Sequence, residues 1–165
     1  MILKNLTRLY RTLPASEPIA DPERVQKSYK YWRLRMFYGM WVGYVVFYLT
    51  RKNISPALHV FSQEMGISLM DLGILGSIFY GTYGIGKFVS GVLADRADIR
   101  LFMATGLLGA SIINLAFPYV GSLWLLSALW GLNGAFQSMG FPPVAKGLVH
   151  WFSSNERATK WTIWS

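Results

Sequence analysis

Long apolar runs separated by short polar turns dominate the chain. Four of them cover roughly 36–58, 72–94, 101–120 and 123–148, and a fifth opens near Thr159 and continues to Ser165. About 20 apolar residues at 1.5 Å each cross a hydrocarbon core, so each full run is long enough to span a bilayer. The pattern predicts an all-α membrane protein with four transmembrane helices and the start of a fifth. Positive charge falls on alternate turns. Residues 59–71 hold no Lys or Arg, 95–100 hold Arg96 and Arg100, Pro118 to Ser122 hold no charge, and Lys146, Arg157 and Lys160 follow. Cytoplasmic loops are enriched in cations, which predicts a cytoplasmic N-terminus.

Ahead of the first run, residues 1–35 read as a basic cytoplasmic leader. Ile2, Leu3, Leu6, Leu9 and Leu13 recur at helical spacing with Lys4, Arg8 and Arg11 around the turn, the pattern of a short interfacial helix on anionic lipid. No uninterrupted apolar core follows these cations, so a secretory signal is not expected. Pro14, Pro18 and Pro22 then predict a polar linker, and Tyr31 and Trp32 sit where headgroups would lie. Residues 36–165 form the transmembrane bundle.

Composition agrees with this division. The chain is 53% hydrophobic and only 15% charged, well below the quarter usual in soluble domains. Its net charge of +8 does not call for nucleic acid, because eight of the sixteen Lys and Arg precede residue 36 and others, such as Arg96, Arg100 and Arg157, occupy turns. With no cysteine, disulfide and thiolate chemistry are excluded. His59 and His150 have no acidic companions, so no metal site is expected. There is no nucleophile–base pair, phosphate-binding glycine loop or paired carboxylate. Neither an enzyme nor a cofactor is expected.

The candidate chemistry lies inside the spans. The first run carries Arg51 and Lys52, and the second carries Lys87, with no acidic residue in either. At ~100° per residue, Tyr44, Tyr48 and Arg51 share an arc of one helix face, and Lys87 aligns with Tyr80 and Tyr83. Intramembrane charge is costly and marks a polar cavity or bundle interior. Uncompensated cations with phenol hydroxyls suit a small anion. Guanidinium offers phosphate a bidentate fork, whereas lysine offers a mobile point charge. Counting along the helices puts Arg51 ~22 Å and Lys87 ~10 Å from the cytoplasmic ends, so only long side chains bring them together. Lys52 has a competing reading, in which it snorkels outward.

Packing signals accompany these charges. Gly39 and Gly43 form a GxxxG, Gly81, Gly84 and Gly91 recur in the second run, and Gly131 and Gly134 lie in the fourth. Such residues let backbones approach in lipid. Pro142-Pro143 predicts a kink or break in the fourth helix. Trp151, Trp161 and Trp164 read as interfacial belt and packing residues.

Gly91-Val-Leu-Ala-Asp95-Arg96, continuing to Arg100, resembles the signature between the second and third helices of the major facilitator superfamily, with Asp98 standing where that pattern usually has glycine. The resemblance implies a charge cluster of Asp95, Arg96, Arg100 and Lys146 that governs conformational switching, with Gly91 at a tight packing point. Read without the family, the same segment is a solvated turn obeying the charge bias. Tyr44-x-x-x-Tyr48-x-x-Arg51-Lys52-Asn53 is similar to the first helix of the organophosphate:phosphate antiporters. Gly86-Lys87-Phe88 resembles their second helix, and Phe141-Pro142-Pro143 with Val149-His150-Trp151 the end of their fourth. Glu156-Arg157 and Trp164 resemble their fifth-helix signature, with Ala158 and Ser165 replacing the usual Gly and Asn.

This likeness over about 29–165 implies the N-terminal part of a six-helix half, in a bacterial-type inner membrane surrounded by lipid. It also implies exchange of a sugar phosphate or glycerol phosphate for inorganic phosphate by alternating access. Arg51 and Lys87 would bind phosphate, with Tyr44, Tyr48 and Lys52 around them. The remaining helices of such a transporter are expected to be missing, which makes the chain read as an N-terminal fragment. Three alternatives stand beside it: a membrane receptor sensing external sugar phosphate through the same site, a non-functional truncated product, and a self-associating membrane protein with no phosphate site.

Overall fold

The computed structural model describes residues 17–53, 63 and 66–165. The interfacial helix expected over Met1 to Leu13, the end of the first apolar run, and His59 lie outside the described residues. Among the described residues the chain is all helix and turn. Six α-helices follow in order: α1 (Pro22–Lys52), α2 (Leu69–Arg96), α3 (Ile99–Ala116), α4 (Leu123–Gln137), α5 (Phe141–Trp151) and α6 (Ser154–Trp164).

Local chemistry sets their ends. Asp21 caps α1 by accepting from the Glu23 amide at 3.0 Å, and Pro22 opens the helix, where its missing N–H is not needed. The basic stretch from Arg24 to Arg35 is therefore helical and continuous with the first apolar run. Pro22 starts a helix rather than extending a linker. Ser68 and Asp71 form a reciprocal capping box on α2, with Asp71 N donating to Ser68 Oγ at 3.2 Å and Ser68 N to Asp71 Oδ2 at 3.0 Å. Hydrogen bonds to Ser68 hold the Asp71 carboxyl below its ordinary pKa. Asp98 caps α3 by accepting from the Arg100 amide at 2.9 Å. Its φ of −66° is open to any residue, so this turn does not need the glycine usual in the family pattern.

The fourth apolar run is two helices. α4 stops at Gln137, and α5 opens at Phe141 with its prolines in the first turn. By length and composition, one segment, Ile99–Tyr119, passes as a span on its own, with a mean hydropathy of 1.6. Glycine, tyrosine and cations dilute the other helices. The outward stripe of α3 is nevertheless apolar: Leu108, Ile112 and Leu115 are 64%, 65% and 73% exposed.

Glycine brings α2 and α4 close together. A Cβ on Gly134 would lie 2.7 Å from the Phe79 carbonyl oxygen, one on Gly131 2.9 Å from Ile78 Cγ2, and one on Gly86 2.9 Å from Ser138 Cβ. Ser90 and Ser138 hydrogen-bond across the same seam at 3.0 Å. One core cluster packs Leu75 and Phe79 with Ile113, Leu126 and Trp130. Another packs Met40 and Phe47 with Met103, Val144, Leu148 and Trp164.

Two packing expectations need correction. Among the described residues, an added Cβ on Gly39 or Gly91 meets nothing within 4 Å, whereas one on Gly43 meets Met103. Gly39 lines a groove between α1 and α3, and Gly91 one between α2 and α5, where the helices stand apart. Spacing identified the small residues but not whether a neighbour reaches them.

Candidate functional site

Arg51 ends α1 and Lys87 lies in the second half of α2, yet both side chains reach one ring. Arg51 Cζ is 4.6 Å and Lys87 Nζ 4.8 Å from the Tyr83 centroid. The difference in depth counted along the helices is taken up by their long side chains. Arg51 also stands 5.3 Å from the Tyr48 ring and 6.0 Å from Phe79. Lys87 stands 5.0 Å from Phe141, at the start of α5. Cation–π contact offsets part of the lost hydration of a cation, by roughly 0.5–2 kcal/mol.

The hydrogen bonds of the Arg51 guanidinium to Gln137 are long. Arg51 Nε and Nη2 both donate to Gln137 Oε1, each at 3.4 Å, long for an N–H···O bond. Gln137 is buried, and its Nε2 donates to Thr50 Oγ1 at 2.9 Å, which fixes the amide with its oxygen toward Arg51. A neutral acceptor at that distance orients the guanidinium without cancelling its charge. Among the described residues neither Arg51 nor Lys87 has a carboxylate partner; the ion pairs are Arg33–Glu156 and Arg100–Asp98.

Tyr44 and Tyr48 meet edge to face with centroids 5.4 Å apart, and Tyr44 also packs against Trp164 at 4.7 Å. Lys52 is exposed at the end of α1 and is not drawn into this cluster. Sequence reasoning noted Tyr83 only as an alignment and missed Gln137 and Phe141 as its companions. The available signal for Gln137 was a glutamine inside an otherwise apolar run.

The charge cluster is arranged differently from expectation. Lys146 Nζ donates to the backbone carbonyls of Ala94 at 2.7 Å and Asp95 at 2.9 Å, the last turn of α2, rather than to the Asp95 carboxylate. Carbonyls left free at a helix C-terminus carry partial negative charge and attract a cation. Arg100 pairs with Asp98 at 3.2 Å, and Arg96 is exposed. A groove of about 910 Å³ runs between α2 and α5, with Lys87 along it and Asp95, Lys146 and His150 also on its walls. It does not include Arg51. Among the described residues no group of His, Asp or Glu is placed to hold a metal.

The described residues thus form a helical bundle in which two cations without acidic partners gather on aromatic rings. The chain belongs to the Major Facilitator Superfamily, whose family model matches residues 40–165. It is therefore a member of a family of integral membrane transporters.

Among individual relatives, it is 46% identical over 96% of its length to the probable hexose phosphate transport protein of Chlamydia muridarum. It is 40% identical over 92% to the membrane sensor protein UhpC of Escherichia coli, and 37% identical over 97% to the glycerol-3-phosphate transporter of Bacillus subtilis. The chain spans about 35% of the length of the first of these curated relatives. No solved structure matches it.

Proposed function

We propose that this chain carries a phosphate-binding site of a transporter that exchanges a sugar phosphate or glycerol phosphate for inorganic phosphate by alternating access. The observation that supports it most is the convergence of Arg51 and Lys87 on the Tyr83 ring, with no acid beside them among the described residues. The Arg51 fork takes two phosphoryl oxygens and Lys87 a third, with Tyr44 and Tyr48 around them and Lys52 at the rim. At an effective dielectric of ~20, each cation attracts a unit charge 4 Å away by roughly 4 kcal/mol. Two cations offset the desolvation of a phosphate dianion and still release it.

In this reading the chain crosses the membrane four times, with α4 and α5 together forming the fourth span and α6 opening the fifth. Its N-terminus is cytoplasmic. Asp95, Arg96, Arg100 and Lys146 form the cytoplasmic switch cluster, in which Lys146 ties α5 to the end of α2. Relatives named as transporters reach 46% identity and those named as sensors 39–40%, which favours transport over sensing.

Protection from arginine modification tests the site. Inorganic phosphate or glucose 6-phosphate should slow reaction of Arg51 with phenylglyoxal, read by peptide mass spectrometry, and chloride should not. Absence of protection sinks the proposal. Exchange of labelled phosphate across vesicles then separates a carrier from a sensor, which binds phosphate without moving it.

A further inference from the structure

A second cluster of cations lies well away from Arg51, where the cytoplasmic extension of α1 meets α6. Arg33 pairs with Glu156 at 3.0 Å, and its Cζ stands 4.8 Å from the Phe152 centroid. Lys160 Nζ stands 5.9 Å from the same ring and 5.8 Å from Phe37. Lys30 completes the wall of a pocket of about 420 Å³ between them. Three cations thus face one carboxylate, and that carboxylate is already engaged.

The floor is apolar. Phe152 is buried and meets Phe37 edge to face at 5.8 Å. Phe37 lies in the first turn of the apolar run that begins at 36, so the pocket straddles the level where hydrocarbon gives way to water. We propose that this pocket holds the phosphodiester headgroup of an anionic phospholipid, with Lys30, Lys160 and the free edge of Arg33 on its oxygens and the acyl chains descending past Phe37.

Three features select a lipid. Excess positive charge demands an anion. An apolar wall continuous with the span gives no advantage to a free ion but suits a ligand with a hydrocarbon tail. Basic pockets between helices at a membrane boundary are where lipid headgroups gain most from charge. The inference rests on the chain being membrane-embedded and is independent of what the Arg51 site carries.

Native mass spectrometry of the whole chain, released from mixed micelles of phosphatidylglycerol and phosphatidylcholine, tests it. The wild-type chain should keep one phosphatidylglycerol in preference to phosphatidylcholine. Replacing both lysines of the pocket, Lys30→Gln with Lys160→Gln, should lower that retention about tenfold or more. The charge-matched control Arg24→Gln with Lys27→Gln, on the same helix but outside the pocket, should keep it. Equal retention of both lipids, or equal loss in the control pair, overturns the proposal. Displacement of the bound lipid by millimolar inorganic phosphate would reassign the pocket to a soluble anion and also overturn it. Phosphate protection of Arg51 should be the same in the double variant and the wild type, so failure at one site is distinguishable from failure at the other.

Discussion

Lys146 on α5 donates to the Ala94 carbonyl at 2.7 Å, and so caps the last turn of α2 with a charge from another helix. The same ammonium reaches the Asp95 carbonyl at 2.9 Å. Lys146→Met should therefore cost about 1–2 kcal/mol, because the carbonyls at the end of α2 lose their hydrogen bonds and the charge–dipole attraction. Asp95→Asn removes no partner of that ammonium and should change stability much less. Thermal unfolding of the two variants in detergent checks the order; a larger loss for Asp95→Asn would contradict it.

Arg51→Lys keeps the charge and removes the fork. Phosphate affinity, measured by calorimetry, should fall about tenfold or more, since a point charge cannot make the paired hydrogen bonds of a guanidinium. An unchanged affinity would remove Arg51 from the proposed role.

Gln137→Glu tests the need for a neutral acceptor beside Arg51. It would place a carboxylate where the amide oxygen now accepts from Arg51 at 3.4 Å. A charge pair at about 4 Å is worth roughly 4 kcal/mol at an effective dielectric of ~20, enough to compete with phosphate for the guanidinium. The expected result is at least a tenfold weaker phosphate affinity in a chain that still folds; circular dichroism and calorimetry together separate the two effects.

Two glycines should respond in opposite directions to alanine. At Gly134 a methyl meets the Phe79 carbonyl oxygen at 2.7 Å, and the α2–α4 seam must open, at a cost of about 1–3 kcal/mol. At Gly39 it meets open space within a helix, and reduced backbone freedom should stabilise by about 0.5–1 kcal/mol. Midpoints of thermal unfolding give the signs directly.

Acid should weaken the turn before α3. Burial raises the pKa of Asp98, but side-chain and backbone hydrogen bonds from Arg100 outweigh it and hold the carboxyl below its ordinary range. A depressed folded value means the stabilisation is complete above the unfolded pKa near ~3.9 and disappears as pH falls through the lower folded value. Asp98→Asn, which retains a capping oxygen, should lose that part of the pH dependence below about pH 4 while changing neutral-pH stability by only a few tenths of a kcal/mol to ~1. Parallel acid titrations of stability decide it.

Much of the site could be read from the chain because charge inside an apolar run is conspicuous. Arg51 and Lys87 stood out in that way, and Tyr44 and Tyr48 followed from helical spacing. Their meeting on Tyr83 did not, since it depends on how α1 crosses α2 and on where two long side chains settle. Gln137 was hidden for a related reason. A glutamine in the middle of the fourth run, four residues after Asn133, shows no partner until the fold buries it beside Thr50. Pro142-Pro143 predicts a kink or break in the fourth run, and the break falls just after Gln137, ahead of both prolines. A proline ring clashes with the carbonyl four residues before it, so Pro142 is felt at Ser138. Gly39 and Gly91 show the reverse limit: a small residue permits contact without supplying the neighbour.

The glycine seam joining α2 and α4 has a mechanical consequence. Gly134 lies against the Phe79 backbone, Gly131 and Gly86 take the side chains of Ile78 and Ser138, and Ser90 pins the lower end to Ser138, so little slack remains for sliding. The two helices travel as one stiff plank. Tilting must then be absorbed where bulky, deformable side chains intervene, as at Phe47 beneath Gly140, and Arg51 would shift against the ring it shares with Lys87 while Lys87 keeps station.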